Sequence, residues 1–378
     1  MSENKKRILL IYPPSPVMNR EDRCQQPTKE LLVIPPLPPT DLLYLAAVAE
    51  KNGLEAKIED YSQGGDYEKD LKEFNPDYLV VNIATPTLEH DLQAVKLAKE
   101  ICPNIVTIAK GAAFLTLGEK ILKENSALNY GILGEAEETL KEILEGKTKA
   151  DILGIYYFED SQVKFTGKRP FIEDLDSLPF PARHLVDNNI YRRPDNNKVQ
   201  ATVKVSRGCP FHCFFCLATP VSGAKVRKRS PENIVEEIRE CVEKYNIRNF
   251  LFWSDIFNVD RKWTFDLCNA IIDSGLDITW SANTRADTAD LEMAELMYKS
   301  GCRLVSIGVE SGSQYMLEQM GKKITLNDVR RTVKVFKKAK IRIYNYFVIG
   351  LPWETEETAE ETIRFAIELD SDFISFYT

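Results

Sequence analysis

Two consecutive α/β units are what this sequence predicts, and three observations carry the prediction. Short apolar runs alternate with helical periodicities from Arg7 to Gly146, the pattern of a parallel sheet with helices on both faces. The alternation resumes at Val199 and continues to Thr378. At the end of the second run's first strand lies Ser206-Arg207-Gly208-Cys209-Pro210-Phe211-His212-Cys213-Phe214-Phe215-Cys216, three thiols spaced Cys-x3-Cys-x2-Cys on one loop. No apolar run among the 378 residues reaches membrane-spanning length. The charged N-terminus, Met1 to Arg7, precedes only a short apolar strand and is no signal peptide, which predicts a cytoplasmic protein. The other five cysteines, Cys24, Cys102, Cys241, Cys268 and Cys302, are scattered, as suits a reducing compartment. A net charge of −8 with both signs mixed along the chain argues against nucleic acid as a partner.

In the first unit, residues 1–150, Arg7 to Tyr12 is a strand ended by Pro13-Pro14. A Pro-rich loop closes at Pro35-Pro36-Leu37-Pro38-Pro39. Thr40 can cap a helix carrying Leu42, Leu43, Leu45, Ala46 and Val48, and Gly53 stops it. Strands follow at Ala56 to Tyr61, Asp77 to Ala84, Ile105 to Ala109 and Asn129 to Leu133, with a helix from Leu88 to Ile101 and another ending near Gly146. Residues 151–198 read as a connector: a hairpin of Ile152 to Phe158 with Gln162 to Phe165, a Pro-rich crossing at Leu178 to Arg183, and a turn at Pro194 to Asn197.

The second unit, residues 199–378, offers six strands: Thr202–Ser206, Asn249–Ser254, Ile278–Ala282, Leu304–Val309, Arg342–Ile349 and Asp372–Tyr377. Helices lie between them, such as Ser230–Lys244 with Ser230 as cap and Pro231 at the first position. A parallel strand with no following helix is an unusual end, so the chain reads as truncated at its C-terminus.

Three thiolates on one tight loop can hold three corners of an iron–sulfur cube and leave the fourth iron open. The rivals are weaker. Three cysteines at this spacing beside Gly208 and Pro210 are hard to explain as core. Zinc would need His212 as fourth ligand, and that side chain, adjacent to Cys213, would struggle to reach the same metal.

The loop is the signature of the radical SAM enzymes, and the resemblance extends over nearly the whole chain. The second half resembles the branch that carries a cobalamin-binding domain and includes methyltransferases and the oxygen-independent magnesium-protoporphyrin monomethyl ester cyclase. The matching stretches are Arg207 to Cys216, Arg227-x-Arg229-Ser230-Pro231-Glu232, Gly301-Cys302, Gly308-Val309-Glu310-Ser311-Gly312-Ser313 and Gly350-Leu351-Pro352-Trp353-Glu354-Thr355. The first half is similar to the cobalamin-binding domain at Ile11-Tyr12-Pro13-Pro14, Pro39 to Ala47 and Gly134-Glu135-Ala136-Glu137. One departure stands out: no Asp-x-His-x-x-Gly follows the first strand, so no histidine is placed to ligate cobalt from below.

The resemblance implies a Rossmann-like, flavodoxin-like first domain and a partial (β/α)6 TIM-type barrel, with a 4Fe–4S cluster on Cys209, Cys213 and Cys216. It implies S-adenosylmethionine on the open iron, cleaved reductively to a 5′-deoxyadenosyl radical, and cobalamin as a further cofactor. In such barrels the chemistry collects at the strands' C-terminal ends. There the ribose diol wants a carboxylate acceptor, Glu310; the methionyl carboxylate wants a cationic fork, Arg285 or Arg227; and the amino group wants acceptors, Asp255 or Asn283. Phe215 completes this set, and Gly308 and Gly350 would let backbone approach the adenosyl group. Cobalamin would lie on the loops Thr85-Pro86-Thr87, Gly111-Ala112 and Gly134-Glu135. Phe214, Trp253, Phe257, Trp280, Tyr344 and Tyr346 could shield a radical, or simply be core.

The expected function is cobalamin-dependent methylation of an unactivated carbon on a small-molecule, tetrapyrrole or lipid-like substrate entering at the barrel mouth between the domains. A flavodoxin or ferredoxin would supply the electron. The alternatives are a radical cyclase or rearrangement enzyme, a methylthiotransferase, and a non-catalytic corrinoid or tetrapyrrole sensor with a structural cluster. A methylthiotransferase needs a second set of cluster cysteines, and only Cys24 and Cys102 stand in the first unit.

Overall fold

The structure is a computed structural model that describes residues 5–16, 18–21, 24–27, 37–193 and 195–378, with 18–21 and 24–27 described by backbone alone. Pro35-Pro36 of the Pro-rich loop and Pro194 of the turn lie outside the described residues. Two compact units result, one of Met1–Glu173, Ser177–Asn196 and Pro220–Ser222, the other of Asp174–Asp176, Asn197–Thr219 and Gly223–Thr378.

In the first unit β1 (Arg7–Tyr12), α1 (Thr40–Lys51), β2 (Glu55–Asp60), α2 (Tyr67–Phe74), β3 (Tyr78–Asn82), α3 (Leu88–Ile101), β4 (Val106–Lys110), α4 (Phe114–Glu124), β5 (Tyr130–Ile132) and α5 (Glu137–Leu144) alternate. The five strands are parallel, in the order β2-β1-β3-β4-β5, which is the flavodoxin-like order. Successive residues of β1 point to opposite faces, and each face is dry. Ile8 and Leu10 pack with Leu42 of α1 and Leu140 of α5. Leu9 and Ile11 pack with Leu71 of α2, Val95 of α3 and Ile121 of α4. Burial on both sides is why these strands read as unbroken apolar runs.

The segment expected as a connector extends this sheet. β6 (Ile155–Glu159) and β7 (Gln162–Phe165) form the hairpin, and β6 pairs antiparallel with β5. The Tyr156 ring faces α4 and stacks on Phe165, with ring centres 4.4 Å apart. That contact explains why α4 is hard to see in the sequence. Gly118 sits mid-helix, where it reads as a breaker, yet a Cβ there would lie 2.4 Å from the Tyr156 ring. α2 hides for another reason: its apolar stripe is Tyr67, Leu71 and Phe74 among five charged residues. Thr40 does not cap α1 as expected. Pro39 takes the N-cap, and the Thr40 hydroxyl donates to the Pro38 carbonyl at 3.1 Å.

The second unit runs β8 (Gln200–Lys204), α6 (Pro231–Tyr245), β9 (Asn249–Trp253), α7 (Arg261–Asp273), β10 (Thr279–Thr284), α8 (Leu291–Lys299), β11 (Cys302–Glu310), α9 (Gln314–Gln319), α10 (Leu326–Lys338), β12 (Arg342–Val348), α11 (Glu356–Leu369) and β13 (Phe373–Tyr377). The six strands pair in sequence order and are all parallel, the arrangement of a (β/α)6 partial barrel. Helix starts are signalled locally. Ser230 caps α6 through the Asn233 N–H, with Pro231 next, and Thr325 forms a capping box on α10. One face of β8 to β12 packs on the helices: Val203, Phe252, Trp280, Ala282, Ile307 and Phe347 belong to one apolar core. Alternation therefore sends Lys204, Trp253, Asn283, Ser306, Tyr344 and Tyr346 to the other, largely polar face.

Candidate functional site

The cysteine loop departs from β8 earlier than its apolar run suggests. The strand ends at Lys204, and Ser206-Arg207 turns to pair antiparallel with Arg227-Lys228, closing the loop at its base. Arg227 is thereby only 4% exposed, and its backbone belongs to this ladder rather than to a solvated run. Gly208 then donates its N–H to Asp255 Oδ2 at 2.6 Å, and the Cys209 N–H donates to the Gly223 carbonyl at 3.0 Å. Inside the loop, Cys216 N–H reaches the Cys213 carbonyl at 3.1 Å, and the Thr219 hydroxyl donates to the Phe211 carbonyl at 2.9 Å.

None of the three cysteines is in a disulfide; Cys209 and Cys213 are half-buried and Cys216 is exposed. Burial pushes the Cys209 thiol above its ordinary value, against the pull of the Phe211 N–H, and the nearby Asp255, Cys216 and Cys213 push it further. Three mutually repelling sulfur ligands are stabilised when a metal takes their protons' place. Among the described residues no three His, Cys, Asp or Glu side chains are already gathered at metal-holding distance. By donor type and loop spacing the trio nonetheless fits a cluster with one open iron.

The ends of β9, β10 and β11 converge on this loop. Asp255, expected on the amino group, has one oxygen committed to the loop's Gly208. Asn283 is half-buried, and its carbonyl accepts from the Phe257 N–H at 3.1 Å. Arg285 does not present an open fork. Its Nε donates to Asp287 at 2.8 Å, its Nη2 donates to the Lys322 and Lys323 carbonyls, and its guanidinium lies 3.9 Å from the centre of the Phe211 ring. Glu310, 9% exposed with φ +71°, accepts from Lys322 Nζ at 2.5 Å. Gly308 serves that pair: a Cβ there would fall 2.4 Å from Glu310 Oε1 and 3.0 Å from Lys322 Nζ.

Phe215 is 37% exposed, with Lys322 Nζ 5.9 Å from its ring centre. Gly350 donates its N–H to Glu354, has nothing within 4 Å of its would-be Cβ, and precedes Trp353, whose ring lies 6.4 Å from that of Phe214. Lys322 was not legible beforehand. A Gly-Lys-Lys turn after a short helix reads as solvated charge, and nothing local marks one lysine as 7% exposed. Of the aromatic positions, Phe257 and Trp280 are core at 1% and 0% exposure, while Trp253, Tyr344 and Tyr346 are half-buried on the polar face.

In the first unit, the loops expected to carry cobalamin follow β3, β4 and β5, three neighbouring strands. Thr85 and Pro86 are exposed at the start of a 3-10 turn, and buried Asp91 fixes it by accepting from the Ala84 N–H at 2.8 Å and the Thr87 hydroxyl at 2.9 Å. Gly111 is demanded internally, since its Cβ would lie 2.2 Å from the Ile83 carbonyl oxygen. Ala112 is half-buried beside it. Gly134 has open space around its Cβ position, and Glu135 accepts from the Ile172 N–H at 2.7 Å. Lys110, 5% exposed, pairs with Asp41 at 2.8 Å at the same end of the sheet. His90 is exposed on the first turn of α3, and His184 pairs with Glu50 at 2.9 Å.

Comparison with known proteins agrees in both halves. Residues 203–366 match the radical SAM superfamily, and residues 35–144 match the B12 binding domain. The chain is 32% identical to an uncharacterised methyltransferase of Pyrococcus horikoshii, covering 92% of this chain and 80% of the relative. The chain belongs to the radical SAM superfamily. Its relatives in this group also include the anaerobic magnesium-protoporphyrin IX monomethyl ester cyclase of Cereibacter sphaeroides, 27% identical over 90% of this chain and 58% of that one. The fold is that of the radical S-adenosylmethionine methyltransferase TsrM from Kitasatospora setae, solved with cobalamin and a 4Fe–4S cluster bound: TM-score 0.77, 19% identity, 99% of this chain and 72% of that one. This radical SAM protein is therefore an enzyme, which sets aside the non-catalytic sensor. The cofactors that go with its two domains are a 4Fe–4S cluster, S-adenosylmethionine and cobalamin. Among the described residues, no helix is long and apolar enough to cross a membrane.

Proposed function

We propose that this enzyme methylates an unactivated carbon of a small molecule, with a one-electron donor such as flavodoxin or ferredoxin in the cytoplasm. The observation that carries the reading is the convergence of the three-cysteine loop with Asp255, Arg285 and Glu310 at the strand ends of one parallel sheet. The cluster, S-adenosylmethionine and cobalamin, when bound, supply one-electron cleavage, hydrogen abstraction and a methyl donor. Cys209, Cys213 and Cys216 hold the cluster. Asp255 orients their loop through Gly208. Glu310 takes the ribose diol, with Phe215, Asn283 and Gly350 completing the cofactor's surroundings. Arg285 acts by holding backbone, and Arg227 by closing the loop's base, rather than by gripping a carboxylate. Cobalamin rests on the loops at Thr85–Thr87, Gly111-Ala112 and Gly134-Glu135, without a histidine on cobalt.

The methyltransferase relative favours methylation, and the cyclase relative favours ring closure as the second reading. A methylthiotransferase is disfavoured by Cys102, which is buried against the Leu71 carbonyl and Asn75. Anaerobic reconstitution decides. The expected result is about four irons per chain, a saturable corrinoid spectral shift that His90→Ala leaves unaltered, and 5′-deoxyadenosine on adding S-adenosylmethionine and reductant. A colourless protein with one zinc would overturn the cluster. Clusters and 5′-deoxyadenosine without any corrinoid binding would leave the cyclase reading.

A further inference from the structure

We infer that Lys322 is a positioning residue of the S-adenosylmethionine site: its ammonium fixes the Glu310 carboxylate, and the turn that carries it ties this carboxylate to the cysteine loop. The inference rests on the reading of the site given above and adds to it a residue from outside the matching motifs.

Four observations support it. The Lys322–Glu310 contact is 2.5 Å long, and the two side chains are 8% and 12% exposed. A buried ion pair contributes little net stability, because desolvation offsets the attraction, so holding a carboxylate in one orientation is the better account of such a pair. The backbone around Lys322 is held from two sides. Arg285 Nη2 donates to the carbonyls of Lys322 and Lys323, and the Phe214 N–H donates to the Met320 carbonyl at 3.0 Å. The same turn fits closely on the cysteine loop, for a Cβ at Gly321 would lie 3.3 Å from the His212 carbonyl oxygen and 3.5 Å from the Phe214 ring. Finally, Arg285 covers Phe211 while the Lys322 ammonium lies 5.9 Å from the centre of the Phe215 ring. One turn of four residues, Met320 to Lys323, thus touches the loop at Phe214, reaches Phe211 through Arg285, and ends on Glu310.

This geometry separates two roles that the sequence assigned to one kind of residue. Arg285 is a pin, its Nη2 donating to backbone, its Nε to Asp287 and its face lying on an aromatic ring. Lys322 is the cation that meets the carboxylate. A displaced turn would move Glu310 and the cysteine loop together, so occupancy of the cofactor site and the setting of the loop should respond to the same substitution.

The test uses anaerobically reconstituted full chain and S-adenosylmethionine itself as probe. Lys322→Met should keep its iron and its cluster absorption, bind S-adenosylmethionine at least tenfold more weakly in calorimetry, and lose the change in the reduced cluster's EPR spectrum that the cofactor causes. Lys322→Arg, which keeps the cation, should return to within threefold of the parent affinity. The double variant K322M/E310Q should bind no more weakly than K322M alone, because the pair acts as a unit. If Lys322→Met fails to fold, Lys322→Gln and Lys322→Arg carry the same comparison. Parent affinity in a folded, cluster-loaded Lys322→Met or Lys322→Gln, or additive losses in the double variant, overturns the inference alone. A parent protein that carries its cluster yet binds no S-adenosylmethionine overturns the proposed function beneath it.

Discussion

Gly111 and Gly308 stand at corresponding ends of two parallel sheets, and they are glycine for different reasons. In the first sheet, a Cβ at Gly111 would meet the Ile83 backbone oxygen at 2.2 Å. In the second, a Cβ at Gly308 would meet the carboxylate of Glu310 at 2.4 Å and the ammonium of Lys322 at 3.0 Å. The first sheet's strand ends close on their own fold, with Asp91 holding the Ala84 N–H, Glu135 holding the Ile172 N–H and Lys110 paired with Asp41. The second sheet's strand ends hold buried charges against a thiol-bearing loop. A corrin, large and nearly flat, needs a shaped floor. A cluster and a charged nucleoside need ligands and counter-charges. On the proposed placement, each sheet end would carry the kind of chemistry its cofactor demands.

The sharpest way to break this comparison is to remove one cofactor's ligands and watch the other cofactor. Replacing Cys209, Cys213 or Cys216 by Ala should drop bound iron from about four per chain to near zero and abolish 5′-deoxyadenosine formation. Corrinoid binding should persist, because no cysteine of that loop belongs to the loops after β3, β4 and β5. Loss of both cofactors in a folded variant would show that the two sheet ends are not the separate devices described.

The reverse experiment is next in size. Gly111→Ala forces a methyl group onto backbone at φ +151°, which should destabilise the first unit by about 3 kcal/mol and weaken corrinoid binding. Gly134→Ala, at φ +92° with open space around it, should cost only about 1 kcal/mol from backbone strain. Iron content should stay at the parent level in both. Equal melting temperatures for the two variants would refute the internal reason given for Gly111.

A smaller effect is expected at Glu310. Glu310→Gln keeps the shape and removes the charged acceptor, so S-adenosylmethionine should bind more weakly by on the order of 1–2 kcal/mol. Unchanged binding in calorimetry would remove Glu310 from the site.

The same contrast explains what the sequence revealed. All six strands of the second sheet, and the first sheet's β1 and α3, follow from period and punctuation because each carries a short run dense in apolar residues. The cysteine loop was legible because chelation needs its three donors within a few residues. Lys322 was not, because its meaning comes from Glu310, twelve residues away in sequence and joined to it only through the fold. Arg285 reads in the sequence as an open fork, while in the fold its Nη2 donates to the carbonyls of Lys322 and Lys323. Gly118 in α4 shows the same limit from the side of packing: the Tyr156 ring that requires it lies in a hairpin read as part of a connector.

The smallest prediction compares one partly exposed carboxylate from each unit. Burial works to raise Asp70 of the first unit, but the hydrogen bonds from Lys57 and Tyr61 outweigh it and hold the carboxyl below its usual range. Asp260 of the second unit is lowered by its hydrogen bond from Lys228 and then by the Trp263 N–H it accepts as the cap of α7. For both groups the folded value lies below the unfolded one, so the stabilisation is complete above about pH 4–5 and is lost as pH falls through the folded value. Asp70→Asn and Asp260→Asn remove the charge while keeping a hydrogen-bonding side chain. Each pair is partly exposed, so the melting temperature near neutral pH should drop by only about 1–2 °C. The gap between parent and variant should narrow on acidification below about pH 4. Amide exchange should report the loss in the first sheet for Asp70→Asn and in the second for Asp260→Asn. A gap that is the same at both pH values would mean that the ion pairs are idle and that only the caps and hydroxyl contacts around them stabilise these helix starts.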